Sequence, residues 1–297
     1  MNPQLAGHET FYPRGNWLHK GLVAVQENPT LFSRAFPYPT DWLGVGVNMA
    51  KSIRHWLSVL SLIEPAEQGH IPTKFARMLL KCDPDLEHPT TLWVLQYKLV
   101  SQPTQATTWH WLFTKSGLVS FTREQFMARY LEFLHSASRR KIAARSVERD
   151  FQVLTRMYLP PEQRRGSSDD NFYPSAFAKL GMLSHSKLTA RFTRNRNLPI
   201  PAAAFLYCLL DLRQRSFPDA AVLDLEKVAA AEGSPFGAFL LETGQFLELY
   251  QDLPAKIRKK IVLSSTAGMR TLQVGNISPR DVLEVAYSER RYVSLVG

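Results

Sequence analysis

Two short stretches of this 297-residue chain carry side chains of the kinds that cut or clamp phosphodiesters. Hydrolysis of that bond needs a base or a carboxylate-held metal ion, with cations to absorb the phosphate's charge. The first stretch pairs His8 and Glu9 with Arg14 and Lys20, a base or metal ligand followed by two cations. The second sets Asp83, Asp85 and Glu87 at alternate positions around Pro84, with His88 next. On an extended segment that spacing lines carboxyls along one side, as an oxygen-ligated Mg2+ or Mn2+ ion requires. Each stretch also has a plainer explanation. His8, Glu9 and Arg14 can form a buried polar lock on the N-terminal arm, and acids around a proline commonly make a turn and cap the next helix. His8, Glu9, Arg14, Asp83 and Glu87 are thus candidate catalytic residues, each with a structural alternative beside it.

A second chemistry is the binding of polyanions. The chain has 36 Lys and Arg against 26 Asp and Glu, a net charge of +10. That excess is concentrated. Residues 139–149 hold five basic side chains and one acid, and residues 185–196 and 256–260 hold four each and no acid. Clustered cations suit nucleic acid, because each phosphate they neutralise releases counterions, although solvated helix faces are also often basic. The candidate DNA contacts are Lys51, Arg54 and His55, then Arg139, Arg140, Lys141, Arg145 and Arg149, then Lys187, Arg191, Arg194 and Arg196.

These side chains need elements to position them. A helix is expected over Leu18–Phe32, then a turn at Gly44-Val-Gly46 and a helix over Val47–Ile63. In the latter, Met49, Ile53, Trp56, Leu57, Leu60 and Ile63 recur at three-and-four spacing, and Lys51, Arg54, His55 and Ser58 form a second, polar stripe. Helix, glycine turn, helix with a basic stripe is the outline of a helix-turn-helix, and 68–77 has the composition of a wing; a plain helical hairpin with solvated charges gives the same pattern. Thr122-Arg-Glu-Gln125 has capping-box spacing ahead of a helix over Arg123–Leu134. A further helix, capped by Ser146, buries Val147, Phe151, Leu154 and Tyr158 and shows Arg145, Arg149, Gln152 and Arg156 elsewhere. Beyond Pro160, helices are expected over Ala176–Leu183, Ala202–Arg213, Leu223–Ala231 and Phe236–Tyr250. A hairpin of Ile261–Ser264 with Met269–Val274 and a helix starting at Ser278-Pro279 complete the chain. Trp17, Trp56 and Trp93 fall in apolar periodic segments and read as core, while Trp109 and Trp111 alternate as strand residues do. The expected fold is mainly α, with winged-helix or helix-turn-helix-like units and short β-hairpins. Its expected domains are 1–105 (winged-helix-like), 109–159 (a second helical block) and 171–297 (α+β), the last two separated by a Pro-, Gly- and charge-rich linker over 160–170.

Composition excludes several classes. Cys82 and Cys208 support neither a disulfide framework nor a four-cysteine zinc site, which suits a reducing cytoplasm. No apolar run approaches the roughly 20 residues of a membrane helix, and the first residues lack the apolar core of a signal peptide. The chain has no GxxxxGK[ST] phosphate loop and no CxxC pair.

The order Gly7-His-Glu-Thr-Phe11, Arg14, Trp17-Leu18, Lys20-Gly21, Leu43-Gly-Val-Gly46, Asn48-Met49, Ser52-Ile-Arg54 and Trp56, then Asp83-Pro84, Leu86-Glu87 and Thr90-Thr-Leu-Trp93, resembles the SspB-like family of bacterial DNA phosphorothioation systems. The motifs cover roughly residues 5–95; the remainder matches in length and style. The resemblance implies a part in replacing a non-bridging phosphate oxygen of DNA by sulfur. In such systems a cysteine desulfurase, a PAPS-reductase-like sulfur-transfer enzyme and an ATPase are the partners, and this member opens or nicks the DNA strand. With no phosphate loop and no CxxC, the chain suits the DNA-handling role rather than theirs. A nickase would call for Mg2+ or Mn2+. The alternatives are a non-catalytic DNA adaptor and a winged-helix regulator of the modification cluster, and a homodimer is compatible with each.

Overall fold

The apolar spacing along Val47–Ile63 forms a helix as far as Val59, with Ile63 opening a strand, in the computed structural model, which describes residues 2–33, 38–138, 142–160, 174–266 and 268–293, with side chains as far as residue 288. Contacts divide the chain into two compact units, Met1–Glu87 with Lys98–Asn195 and His88–Tyr97 with Arg196–Gly297. Both are discontinuous in sequence.

The first unit begins with an irregular arm over residues 2–16, then α1 (Trp17–Glu27), α2 (Pro39–Leu43) and α3 (Val47–Val59). Helices α1 and α3 approach closely because Gly21 has no side chain. A Cβ there would stand 2.5 Å from Ile53 Cγ2 and 2.9 Å from Leu57 Cδ1. Strands β1 (Ile63–Ala66) and β2 (Gly69–Pro72) pair antiparallel, and α4 (Lys74–Cys82) follows with the Thr73 hydroxyl accepting from the Ala76 N–H at its cap. The hairpin expected near 68–77 is present, shifted toward the N-terminus.

Helix α5 (Pro89–Val100) leads to α6 (Thr107–His110), which runs on into a π-helical turn over Trp111–Lys115. Trp109 and Trp111 are therefore helical, not strand residues, and both rings are buried. They point into different packing groups, Trp109 against Trp56 and Trp111 against Phe126 and Tyr130. Next come β3 (Ser120–Phe121), α7 (Arg123–Ala137) with the expected Thr122–Gln125 capping box, and α8 (Ala144–Tyr158). Helix α8 starts two residues before Ser146, with Ala143 at its cap and no side-chain cap hydrogen bond. Ala176–Leu180, expected as α-helix, is a short 3-10 turn, followed by β4 (Leu183–Ser186) and β5 (Arg191–Arg194). The three strands form one antiparallel sheet in the order β3-β5-β4, with Phe121 opposite Phe192 and Ser186 opposite Arg191.

The second unit holds His88 and residues 89–97 of α5, α9 (Ala202–Ser216), β6 (Val222–Asp224), α10 (Leu225–Ala230), α11 (Pro235–Phe239), α12 (Phe246–Gln251), α13 (Ala255–Arg258), β7 (Ile261–Thr266), β8 (Met269–Val274) and α14 (Pro279–Val293). The single helix expected over Phe236–Tyr250 is broken. Leu240 takes a left-handed φ of 52°, and Glu242 with Gln245 caps a new start. Phe205, Phe236, Phe239, Phe246 and Trp93 fill its core. Its sheet order, β6-β8-β7, repeats the pattern of the first unit: a lone strand beside the second strand of a later hairpin.

Candidate nucleic-acid interface

The histidine of the sharpest sequence motif is buried in the first unit, while Gly7 and Thr10 on either side of it are exposed. His8 is 1% exposed, and its ring stacks on Trp56 at 6.2 Å with an edge contact to Trp109 at 5.7 Å. The Thr10 N–H donates to His8 Nδ1 at 3.1 Å, so the ring proton sits on Nε2, which donates to Asp150 Oδ1 at 3.0 Å. The same oxygen accepts from the Ala6 N–H at 2.8 Å, and Oδ2 accepts from the Thr108 hydroxyl. Tyr130 completes the chain, its phenol donating to Thr108 Oγ1 at 2.8 Å. Burial, then the nearby Asp150 carboxyl, pushes the Tyr130 phenol well above its ordinary value, which keeps it a donor. Asp150 is likewise 1% exposed. Every polar atom of its carboxyl is matched, as a buried group requires.

This cluster ties the arm to three helices. The Phe11 carbonyl accepts from Trp56 Nε1 at 2.9 Å and from the Ser52 hydroxyl at 3.3 Å, both on α3. Gly7 lets the arm lie on His55, where a Cβ would come within 2.8 Å of Nδ1. Asp150 belongs to α8 and Thr108 to α6. Three arm residues, Ala6, Glu9 and Thr10, take left-handed φ angles of 58°, 49° and 70°, a conformation non-glycine residues hold only where surroundings over-determine it. Sequence spacing gave no sign of Asp150, Thr108 or Tyr130 as partners of His8. The one available signal was phase: Asp150 falls in the buried register of Val147, Phe151 and Leu154.

The basic candidates separate by environment. On α3, Lys51 and Arg54 are exposed, Lys51 with Glu9 at 3.8 Å. His55 is mostly buried; burial, then His8 and Arg54, hold its pKa down to about 3, so it is neutral and supplies no charge to DNA. On α8, Arg145, Arg149 and Arg156 are exposed along one face and have no ion pair or hydrogen bond among the described residues, while Glu148 is engaged by Arg123 at 2.7 Å. Arg156 extends the stripe by two turns. Lys187 is exposed in the β4–β5 turn, and Arg191 donates to the Ser120 carbonyl at 2.8 Å and hydroxyl at 3.0 Å. Arg194 is buried. It is 5% exposed, donates to the Leu112 and Phe113 carbonyls at 3.1 Å each and lies over the Phe113 ring, so it ends the π-helical turn rather than facing solvent. Arg196 belongs to the second unit and stands 3.8 Å from Glu242. Arg139, Arg140 and Lys141 lie outside the described residues.

The catalytic candidates do not converge. His8 is enclosed, Glu9 pairs with Lys51, and the Arg14 guanidinium lies against Phe11, Tyr12 and Trp17 at 4.9, 5.4 and 5.6 Å. Asp83 ends α4, Leu86 turns the chain through a left-handed φ of 56°, and Glu87 meets Lys179 at 3.2 Å. His88 Nδ1 accepts from the Thr90 N–H at 3.0 Å, at the start of α5. Among the described residues no group of three His, Cys, Asp or Glu side chains is arranged to hold a metal ion.

These features define a mainly helical protein in which a locked arm fixes helices whose outer faces are basic. No described helix is long and apolar enough to cross a membrane. The model of the DUF4007 family, described as a protein of unknown function, matches residues 5–287, and the chain belongs to that family. Among solved structures it is similar to a magnesium ion-bound SspB crystal structure, at 27% identity and a TM-score of 0.84 over 96% of this chain and 88% of that one. A second SspB crystal structure is similar at 26% identity and a TM-score of 0.82, over 97% and 88% of the two chains. No curated protein matches the sequence.

Proposed function

We propose that the chain is a DNA-binding component of a DNA phosphorothioation system that opens or nicks one strand so that sulfur can be installed. The observation that carries the reading is the arginine face of α8, unpaired among the described residues, supported by the likeness to SspB. The order α6–β3–α7–α8–β4–β5, with sheet order β3-β5-β4, supports reading this part as a winged helix whose α8 would lie in the major groove. Arg145, Arg149 and Arg156 then track a phosphate backbone, with Lys51 and Arg54 of α3 as a second group of cations. The proposed partners are DNA, a PAPS-reductase-like sulfur-transfer enzyme, a cysteine desulfurase and an ATPase.

Cutting is a second reading, favoured by the magnesium ion in one of the SspB structures. In this chain His8 is too enclosed to reach a phosphodiester, so the arm positions helices in either reading.

Two measurements test this. Fluorescence anisotropy with a labelled duplex at several salt concentrations should show binding whose affinity falls steeply with salt. Supercoiled plasmid incubated with the protein and Mg2+ or Mn2+ separates the two roles: relaxed circles mean nicking, and retarded but intact plasmid means binding without cutting. Absence of binding at low salt would overturn the proposal.

A further inference from the structure

Leu188 is 96% exposed, the most exposed large apolar side chain among the described residues; Met269 comes next at 63%. A lone surface leucine is ordinary. This one is mounted differently. It sits at the tip of the β4–β5 hairpin, and the turn is held from within: Ser186 Oγ accepts from the Thr189 N–H at 3.4 Å, and Ala190 takes a left-handed φ of 51°. The stalk is braced on both sides. Arg191 is bonded to Ser120 of β3, and Phe192 packs on Phe151 of α8 at 5.3 Å and on His185 at 4.4 Å. Lys187 precedes the leucine directly, and the hairpin, residues 183–194, carries no acid. A braced hairpin without acids that presents one apolar side chain next to a lysine fits duplex DNA, because the cation matches a phosphate and the apolar tip matches the gap between stacked bases.

We infer that the β4–β5 hairpin is a wedge, with Leu188 entering the minor groove and parting a base step while α8 holds the neighbouring major groove. Apolar side chains inserted between base steps unstack them partially and kink the duplex, a cost that backbone contacts offset. Here those contacts come from Lys187 and the α8 arginines. Pyrimidine–purine steps unstack most readily, so the wedge favours TA and CA steps. This inference rests on the DNA-binding reading and gives its strand-opening part a physical agent.

The test uses the full chain and a set of mixed-sequence duplexes carrying 2-aminopurine at TA steps. Anisotropy reports binding, and 2-aminopurine fluorescence, which rises on unstacking, reports opening. The wild-type protein should bind and raise the fluorescence several-fold. Leu188→Ala, a change at a solvent-exposed position, should bind within about tenfold of wild type yet lose the rise, and Leu188→Met should keep it. A wild-type complex without the rise, or a Leu188→Ala complex that retains it, overturns the wedge and leaves DNA binding standing. A wild-type protein that does not bind overturns both.

Discussion

Adjacent residues on two helices of the first unit end in opposite surroundings. On α8, Arg149 faces solvent while Asp150 is enclosed and accepts three hydrogen bonds; on α3, Arg54 faces solvent while the ring of His55 is largely covered. A helix turns about 100° per residue, so one step along the chain moves a side chain from the outer face to the core. The inner set, His8, Thr108, Tyr130 and Asp150, fixes where the helices lie. The outer set, Lys51, Arg54, Arg145, Arg149 and Arg156, determines what potential they present. The sharpest sequence motif gives His8 to the inner set, and its Glu9 reaches Lys51 of the outer one. Its recognisability reflects a demand on geometry, since an arm with three left-handed non-glycine residues admits few alternatives.

The comparison breaks most visibly at Asp150. In Asp150→Ala the Ala6 N–H, His8 Nε2–H and Thr108 hydroxyl lose their acceptor in the core. The expected cost is about 3–5 kcal/mol, a fall in Tm on the order of 10 °C. Thermal unfolding followed by circular dichroism checks it; an unchanged Tm would mean the lock is not what holds the arm. The outer set should behave in the opposite way. Replacing Arg145, Arg149 and Arg156 together by alanine should leave Tm within about 2 °C, because these side chains have no partner to lose among the described residues. The same variant should bind duplex DNA about a hundredfold more weakly and lower the slope of log affinity against log salt by about three. Equal losses of stability and affinity in both variants would erase the distinction.

His55 offers a smaller effect with a definite sign. Its pKa is about 3 in the folded protein against an ordinary 6.5, so the unfolded chain binds the extra proton more readily between those values. The contribution of this group is fully present above pH 6.5 and is lost as pH falls toward 3. Between pH 7 and pH 5 the loss is about 2 kcal/mol. Chemical denaturation at the two pH values should show it, and His55→Gln, which cannot titrate, should flatten that part of the profile. A profile unchanged by the substitution would place the pH dependence elsewhere.

Much of the frame was legible from periodicity and punctuation. The 3.6-residue spacing of Ile53, Trp56 and Leu57 found α3, Thr122 and Gln125 marked the start of α7, and Pro279 marked α14, because those signals are local. What was hidden is what depends on distant partners. Strand β3 is two residues long and becomes a strand only by pairing with β5, more than 70 positions later. The π-helical turn at Trp111 imitates strand alternation, since two residues there point into separate aromatic groups. Arg194 reads as one more cation in a basic window, and nothing nearby reveals that the Leu112 and Phe113 carbonyls await it. The function of the outer face was legible as charge, whereas the separation of Arg149 from Asp150 required the helix to be placed.

The smallest expected effect bears on the acidic turn. Glu87 and Lys179 are about 60% exposed and meet at 3.2 Å, so water and salt screen the pair. Glu87→Ala should change stability by less than about 1 kcal/mol and should leave DNA affinity within about twofold. Asp83→Ala is the sterner control, because Asp83 sits at the end of α4. If wild-type protein relaxes supercoiled plasmid in Mg2+ and Glu87→Ala does so at the same rate, the turn is only a turn, and cutting must draw its carboxyls from elsewhere. If Glu87→Ala keeps its Tm and its affinity but loses the relaxed circles, the turn belongs with the outer set. The division between a positioning interior and a binding surface would then need a third region, one that reacts.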